Sequence, residues 1–297
     1  MNSRDKFLFV VNPIAGGLDK SEYTHTLEKV FSERGKDFEI YNTTGQGDDE
    51  ETINERIDVY QPDVVVAVGG DGTCNLVASV LYEKNLVFGI IPLGSANGLA
   101  TELEIDNNLN SATQNLFEGK ENNLDAIIIN NEFICLHLSD IGLNAKVIKR
   151  FEEEKRRGMI SYARQFFREV LTAKPKKFQF EIEGSTFKSS AHMVVIANAS
   201  KYGTGAIVNP IGKLNDGFFE ICIVKPFPFF AFFSLAFHLF FGSLKTSPYV
   251  KIISTQNARI YNISKEVLQV DGELHEFPDV VEASIVRHAY RIIAPAG

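Results

Sequence analysis

Three stretches of this chain combine backbone and side chains suited to holding a polyanion: Gly69-Gly70-Asp71-Gly72-Thr73, Pro92-Leu93-Gly94-Ser95-Ala96-Asn97-Gly98 and Asn12-Pro13-Ile14-Ala15-Gly16-Gly17. A triphosphate needs close backbone approach and free N–H donors, with a helix N-terminus nearby to favour its charge. Glycine permits that approach because it has no Cβ. Asp71 is poorly placed beside phosphate unless it holds Mg²⁺ or acts on a proton. A Gly-Gly-Asp-Gly string alone reads equally well as a tight turn with a helix cap; a buried strand before it and a helix after it favour phosphate binding. Neither a Walker-type Gly-x-x-x-x-Gly-Lys-Ser/Thr nor a six-residue dinucleotide fingerprint occurs.

The elements that must position these loops are legible around them. Phe7–Val11, Val64–Val68 and Val87–Ile91 are short apolar runs that read as buried strands, and each ends at one of the glycine-bearing loops. Residues 21–34, 48–60 and about 75–82 have helical character, and Phe38–Tyr41 is a short strand. Strands alternating with helices predict a parallel sheet covered on both faces, in which ligands bind outside the carboxyl ends of the strands. After about Leu124 the texture changes to short strand-like segments at 125–130, 133–138, 178–183, 187–197, 218–224, 250–254, 258–263 and 267–270. These predict an antiparallel β domain, interrupted by a helix at about 160–172. The expected boundaries are 1–125 and 126–297, with a last strand at 283–293 free to return to the first domain.

With 297 residues and 44% hydrophobic content, the chain can bury a substantial core. A net charge of −8 argues against a general nucleic-acid binder. Cys74, Cys135 and Cys222 are too few and too widely spaced for a disulfide framework or a zinc site. They read as small buried hydrophobes in a reducing compartment. The N-terminus has a five-residue apolar run and no cleavage pattern, so a cytoplasmic location is expected.

The motifs taken together resemble the diacylglycerol/sphingosine kinase family. Gly69–Thr73 with Asn75 is similar to its nucleotide motif, and Pro92–Ala100 to the segment one strand later. Asn12-Pro13 with Gly16 resembles its first loop, Asn198 with Tyr202-Gly203 its "N-x-x-x-Y-G", Asn209-Pro210 through Asp216-Gly217 its "P-x-A-x-x-x-D-G", and Asp271-Gly272-Glu273 its late "D-G-E". The implied fold is α/β: a Rossmann-like nucleotide domain followed by an antiparallel β-sandwich, with the active site in the cleft between them. The resemblance implies ATP and Mg²⁺ as cofactors, with Asn12, Thr43, Gly70, Asp71, Gly72, Thr73, Cys74, Asn75, Leu76, Ser95 and Asn97 as nucleotide contacts. It implies Glu273 as general base, with Asp71 as the rival base. It implies a structural Mg²⁺ site made by Asp216 and the main-chain carbonyls of Lys213 and Phe218, with Asp125 tied to that network. The chain departs from the family pattern at Gly98, where relatives commonly carry Asp and the sphingosine branch a small residue, and at Leu76, where many carry Glu.

The implied activity is transfer of the γ-phosphate of ATP to a hydroxyl of a lipid such as diacylglycerol or a sphingoid base, in phospholipid metabolism. Two other readings stand beside it. A catalytically weak lipid-binding or regulatory homologue is suggested by Gly98. An NAD kinase would share the Gly-Gly-Asp-Gly-Thr loop, but those chains resemble "G-x-N-x-G-x-L-G-F-L" where this one reads Pro92–Ala100. The expected partners are a lipid substrate and, peripherally, a membrane surface; a homodimer is compatible with the sequence. Pro226–Phe241 is rich in phenylalanine and too short to span a bilayer. It reads either as a core helix or as one lining an acyl-chain cleft at the bilayer interface. Basic residues at 149–157 and 164–168 are expected to form a solvated face or to meet anionic headgroups.

Overall fold

The computed structural model describes residues 4–15, 20–142, 174–202, 205–228, 231–240, 244–275 and 278–296. The expected helix at 160–172 and the basic segments at 149–157 and 164–168 lie outside these. The chain divides into two compact units: one of residues 1–124 with 288–297, the other of residues 125–287.

The first unit alternates strands and helices. β1 (Lys6–Val11), β2 (Asp37–Asn42), β3 (Val64–Gly69) and β4 (Val87–Pro92) are joined by α1 (Lys20–Arg34), α2 (Asp49–Tyr60) and α3 (Asp71–Leu81). α4 (Gly98–Glu102) and α5 (Leu109–Glu118) follow. β1 pairs in parallel with both β2 and β3, and β3 in parallel with β4. The end of the last strand, β16 (Val280–Ala294), adds to β4 in parallel at Arg291↔Val87. The order β2-β1-β3-β4-β16 puts the topological switch point at β1 and β3. β1, β3 and β4 are apolar runs because helices cover both faces of the sheet. On one face Phe7 and Phe9 of β1 meet Phe31 of α1 edge-on, and Phe117 of α5 joins them. α3 covers the other face, where the Tyr290 hydroxyl of β16 donates to the Ala78 carbonyl at 3.0 Å.

The third expected helix, 75–82, begins four residues earlier, at Asp71, because Gly70 in an extended conformation is its N-cap. The Gly-Asp-Gly-Thr residues are therefore its first turn and not a loop ahead of it. α5 was not foreseen from the sequence. Its start is nevertheless signalled, since the Asn108 side chain caps it by accepting the N–H groups of Asn110 and Ser111.

The second unit is built from antiparallel strands. β5 (Lys120–Ile129) enters it and pairs with β6 (Phe133–Cys135). β8 (Lys176–Ile182), β9 (Ser185–Ala191) and β13 (Asn257–Tyr261) form a sheet with β16 in the order β16-β13-β8-β9. A second sheet runs β12-β11-β10-β7-β14-β15, made of β7 (Leu138–Gly142), β10 (Met193–Ala197), β11 (Phe219–Val224), β12 (Val250–Thr255), β14 (Leu268–Val270) and β15 (Glu273–His275). Phe178, Phe180 and Ile260 of the first sheet share one core with Val194, Ile196, Ile221 and Ile223 of the second, so the two close as a sandwich. The segments expected as single strands at 133–138 and 187–197 are each two strands, broken near Leu136 and at His192. α6 (Ala231–Phe240) carries the phenylalanine-rich stretch; its Leu235 packs with Leu244 and Val250.

Candidate active site

The loops singled out in the first unit leave the sheet side by side. Backbone bonds extend the parallel ladders beyond the strands: Thr43 N–H donates to Val11 O at 2.8 Å, Asn12 N–H to Val68 O at 3.0 Å, and Leu93 N–H to Gly69 O at 2.8 Å. The starts of the Asn12, Thr43, Gly70 and Ser95 loops thus share the carboxyl edge of one sheet. Asn12 closes an Asx turn by accepting the Ile14 N–H at 3.1 Å. The loop at Thr43 is shaped by Asp49, which accepts the Tyr41 hydroxyl at 2.6 Å and the N–H groups of Thr44 at 2.8 Å and Gly45 at 2.9 Å. Burial alone would push Asp49 up, but these donors hold its carboxyl below the usual carboxylate range.

Between β3 and β4 the two glycine loops touch through their backbones. A Cβ on Gly94 would collide with Cα of Gly70 and would lie 2.7 Å from Asn97 Oδ1. Glycine is required there because backbone meets backbone, leaving no flexible side chain to yield. Asn97 holds the second loop in shape from a left-handed backbone (φ 51°). Its Oδ1 accepts Gly94 N–H at 2.8 Å, and its Nδ2 donates to Gly94 O and to Asn107 Oδ1, each at 3.0 Å. Asp71 joins the two loops: its carboxylate accepts Gly98 N–H at 3.0 Å and Leu99 N–H at 3.3 Å. The carboxylate that looked out of place beside phosphate is thereby turned onto the backbone where α4 begins.

No side chain caps α3: Thr73 N–H and Cys74 N–H share Gly70 O at 3.1 Å, while the N–H groups of Asp71 and Gly72 ahead of them have no intrahelical acceptor and can face an anion. Thr73 and Cys74 are buried on the inward side of that helix. Asn75 is half-buried with Oδ1 enclosed and unpartnered, Leu76 is half-buried, and Ser95 is exposed on its loop. A backbone cradle that a Cβ would fill and a helix start without a side-chain cap together fit a phosphate-bearing nucleotide.

In the second unit the metal expectation falls on a turn. Asp125 is fully buried; its N–H donates to Leu214 O at 2.7 Å and its Oδ2 accepts Gly217 N–H at 2.7 Å. Asp216 is exposed and accepts Phe218 N–H at 3.0 Å. Gly217 has φ 79°, and a Cβ there would overlap the Arg287 side chain. The donors expected for the cation, the Asp216 carboxylate and the carbonyls of Lys213 and Phe218, are all hard oxygens of the type Mg²⁺ takes together with water. Among the described residues there is no cluster of three or more His, Cys, Asp or Glu that could hold a metal.

Glu273 is exposed at the start of β15, after a two-residue turn in which Asp271 (φ 45°) and Gly272 (φ 99°) both have positive φ. Asp271 is 8% exposed, and its carboxylate accepts the N–H groups of Leu136 at 2.7 Å and of His137 and Leu138 at 3.0 Å. Cys135 donates its thiol to the same carboxylate at 3.5 Å; burial first, and this negative neighbour second, push that thiol well up. Asn198 is fully buried and bridges Asp125 O at 2.8 Å and Leu136 O at 2.9 Å. The structure therefore brings Asp125 onto the Asp216 turn, and links it through Asn198 to the segment that grips Asp271.

Three contributors were not picked out as site residues from the sequence: Asp49, Asn198 in this bridging role, and Asp271 as distinct from Glu273. The signal available was a polar residue next to a turn glycine or inside a motif, which names no partner.

Comparison with known proteins gives a consistent picture. Residues 6–129 match the diacylglycerol kinase catalytic domain, and residues 139–294 match the YegS C-terminal NAD kinase beta sandwich-like domain. A protein of Streptococcus pneumoniae serotype 4 named "Putative lipid kinase" is 27% identical over 274 residues, covering 90% of this chain and 91% of that one. A Staphylococcus aureus protein named "Diacylglycerol kinase" is 27% identical over 228 residues, covering 75% and 71%. A crystal structure titled as a "putative diacylglycerol kinase" from Bacillus anthracis str. Sterne superposes with TM-score 0.81 over 98% of this chain and 97% of that one at 21% identity, which speaks for the fold. An α/β unit with paired glycine loops, an antiparallel sandwich and these two adjoining matches place the chain in the diacylglycerol kinase-like lipid kinase family, of the YegS type in its C-terminal domain.

Proposed function

We propose that this chain is an ATP-dependent lipid kinase that transfers the γ-phosphate to a hydroxyl of a lipid such as diacylglycerol or a sphingoid base. The observation that carries the reading is the backbone contact of Gly70 with Gly94 at the uncapped start of α3. Phosphoryl transfer is mostly positioning and charge neutralisation, and this arrangement supplies both without a Walker-type lysine. ATP is held by the loops that begin at Asn12, Thr43, Gly70 and Ser95. Mg²⁺, when bound, neutralises phosphate charge. At the second site the Asp216 carboxylate with the carbonyls of Lys213 and Phe218 would hold Mg²⁺ structurally, with Asp125 fixing the turn. Glu273 accepts the proton of the lipid hydroxyl. Asp71 is the weaker candidate for that role, because it already braces Gly98 and Leu99.

The lipid reading is supported by the α6 region. Phe237 is 58% exposed. Between Glu220 and Glu266 there is no acidic residue, whereas Lys225, His238, Lys245, Lys251, Arg259 and Lys265 fall in the interval, Arg259 being paired with Glu181 and Glu282 and Lys265 with Asp279. In a chain with net charge −8 this interval suits an anionic lipid surface. Among the described residues no helix is long and apolar enough to cross a membrane, and we place the protein at a membrane surface on the cytoplasmic side.

The β-sandwich match to an NAD kinase-like domain keeps one rival in view. Incubation with labelled ATP, Mg²⁺ and a panel of diacylglycerols, sphingoid bases, glycolipid precursors and NAD, read by mass spectrometry, separates the readings. A phosphorylated lipid is expected. Label on NAD alone, or no transfer to any acceptor including lipids extracted from cells, overturns the proposal.

A further inference from the structure

Three successive backbone N–H groups pointing into one concavity form an anion site. Here, at Leu136, His137 and Leu138, that site is filled by the chain's own carboxylate, Asp271. The grip is reciprocal, since Asp271 N–H donates to Leu138 O at 3.0 Å. It also lengthens the ladder in which Val270 of β14 faces Ser139 of β7. The β14–β15 hairpin is short, with Leu268↔His275, Gln269↔Leu274 and Val270↔Glu273 as its register. β14 is also held by β7, but β15 is the edge strand of its sheet and is paired through these three residues to β14 alone among the described strands. The carboxylate adds three charge-assisted bonds at the tip, one residue from the turn glycine and two from Glu273.

The same backbone segment is held on its other side. Leu136 O accepts from Asn198 Nδ2, which also donates to Asp125 O, while the Asp125 carboxylate accepts Gly217 N–H of the Asp216 turn. Every group in this chain of bonds belongs to the second unit.

We propose that Asp271 is the positioning residue for Glu273: seated on the N–H groups of residues 136–138, its carboxylate sets where the hairpin presents Glu273 and couples it, through Asn198 and Asp125, to the turn that carries Asp216. This rests on the reading of Glu273 as the base of the proposed reaction. Asp271→Asn is the informative change. Asn tolerates the left-handed backbone of that turn, so the hairpin closes as before. It keeps one acceptor oxygen but loses the charge and the second oxygen, so the tip loosens without losing its turn.

The experiment is a double-mutant cycle on lipid phosphorylation by the full chain, using Asp271→Asn, Glu273→Gln and the pair, with a thermal melt of each. Asp271→Asn is expected to lower kcat about 10- to 100-fold, as misplacement of a reacting group does, with the KM for ATP unchanged. In the Glu273→Gln background the same change is expected to cost little further, because there is no base left to position. Asp271→Glu, which keeps the charge, is expected to recover part of the loss. Multiplicative losses in the double mutant, or a lowered Tm with kcat intact, would show a merely structural carboxylate and overturn the proposal. A wild-type kcat in Glu273→Gln overturns the base assignment itself and the positioning role with it. A variant that fails to fold is replaced by Asn198→Asp, which perturbs the other side of residue 136 and must show the same non-additivity with Glu273→Gln.

Discussion

The Asp71 carboxylate accepts the backbone N–H of Gly98 at 3.0 Å, tying the loop after β3 to the loop after β4. With the Leu99 bond at 3.3 Å beside it, this makes Asp71 a brace for the start of α4, and both glycine loops depend on it. Asp71→Asn leaves one oxygen and turns an amide N–H₂ toward the other donor. Expected are a stability loss of about 1–3 kcal/mol and a fall in kcat on the order of 10²–10⁴-fold, whether the carboxylate acts on metal, proton or loop. Turnover close to wild type in a folded variant would remove Asp71 from the chemistry.

Gly94→Ala tests the cradle itself. The added Cβ meets Cα of Gly70, so the two loops must separate. We expect weaker nucleotide binding and a stability loss of about 1–3 kcal/mol from overpacking. Calorimetric ATP titration and a denaturation curve check both; unchanged affinity for ATP would mean that the nucleotide is not held at this contact.

Mg²⁺ linkage tests the Asp216 turn. A cation bound only by the folded state stabilises by RT ln(1 + [L]/Kd), about 2.7 kcal/mol at 100 times Kd. Wild-type Tm is expected to rise with Mg²⁺, and Asp216→Ala to abolish that rise while lowering activity. Identical melts of wild type with Mg²⁺ and with chelator would exclude a structural site there.

Asp49 predicts an acid-sensitive contribution. Although burial pushes its pKa up, the donors Tyr41, Thr44 and Gly45 outweigh that and depress it in the folded chain. The unfolded chain therefore takes up the proton first as pH falls. The stabilisation is present above the ordinary Asp value of about 4 and is lost as pH falls through the lower folded value. Asp49→Asn should cost about 1–2 kcal/mol at pH 7 and leave a flatter stability curve below pH 4. Urea titrations at both ends of that range measure the difference.

Phe237→Ser tests the lipid side. Because the ring is largely exposed, its loss should barely move Tm, while the apparent KM for long-chain lipid rises and that for short-chain analogues does not. An acyl-chain-length series that is unchanged in the variant would detach α6 from substrate binding. The side chains of Phe232 and Phe233 lie outside those described; their exchange for Ser is expected to unfold a core helix but only to impair a lipid-binding one.

Local chemistry made much of this molecule readable in advance. β1, β3 and β4 are apolar because a doubly covered parallel sheet leaves no face for polar residues, and glycines mark their ends because a backbone must come close to something there. The paired glycine loops, the turn at Asp216-Gly217 and the hairpin at Asp271-Gly272 follow from the same local rules. What only tertiary structure decided is the partner of each polar group. A strand edge places Gly94 against Gly70 across 24 residues of chain. It directs Asp71 to Gly98, and it seats Asp271 on N–H groups more than 130 residues away. Periodicity and propensity report which way a side chain faces within its own element. The acceptor of a buried N–H is set by which elements pack side by side, so the brace at Asp71, the bridge at Asn198 and the anchor at Asp271 exist only once the sheets have formed.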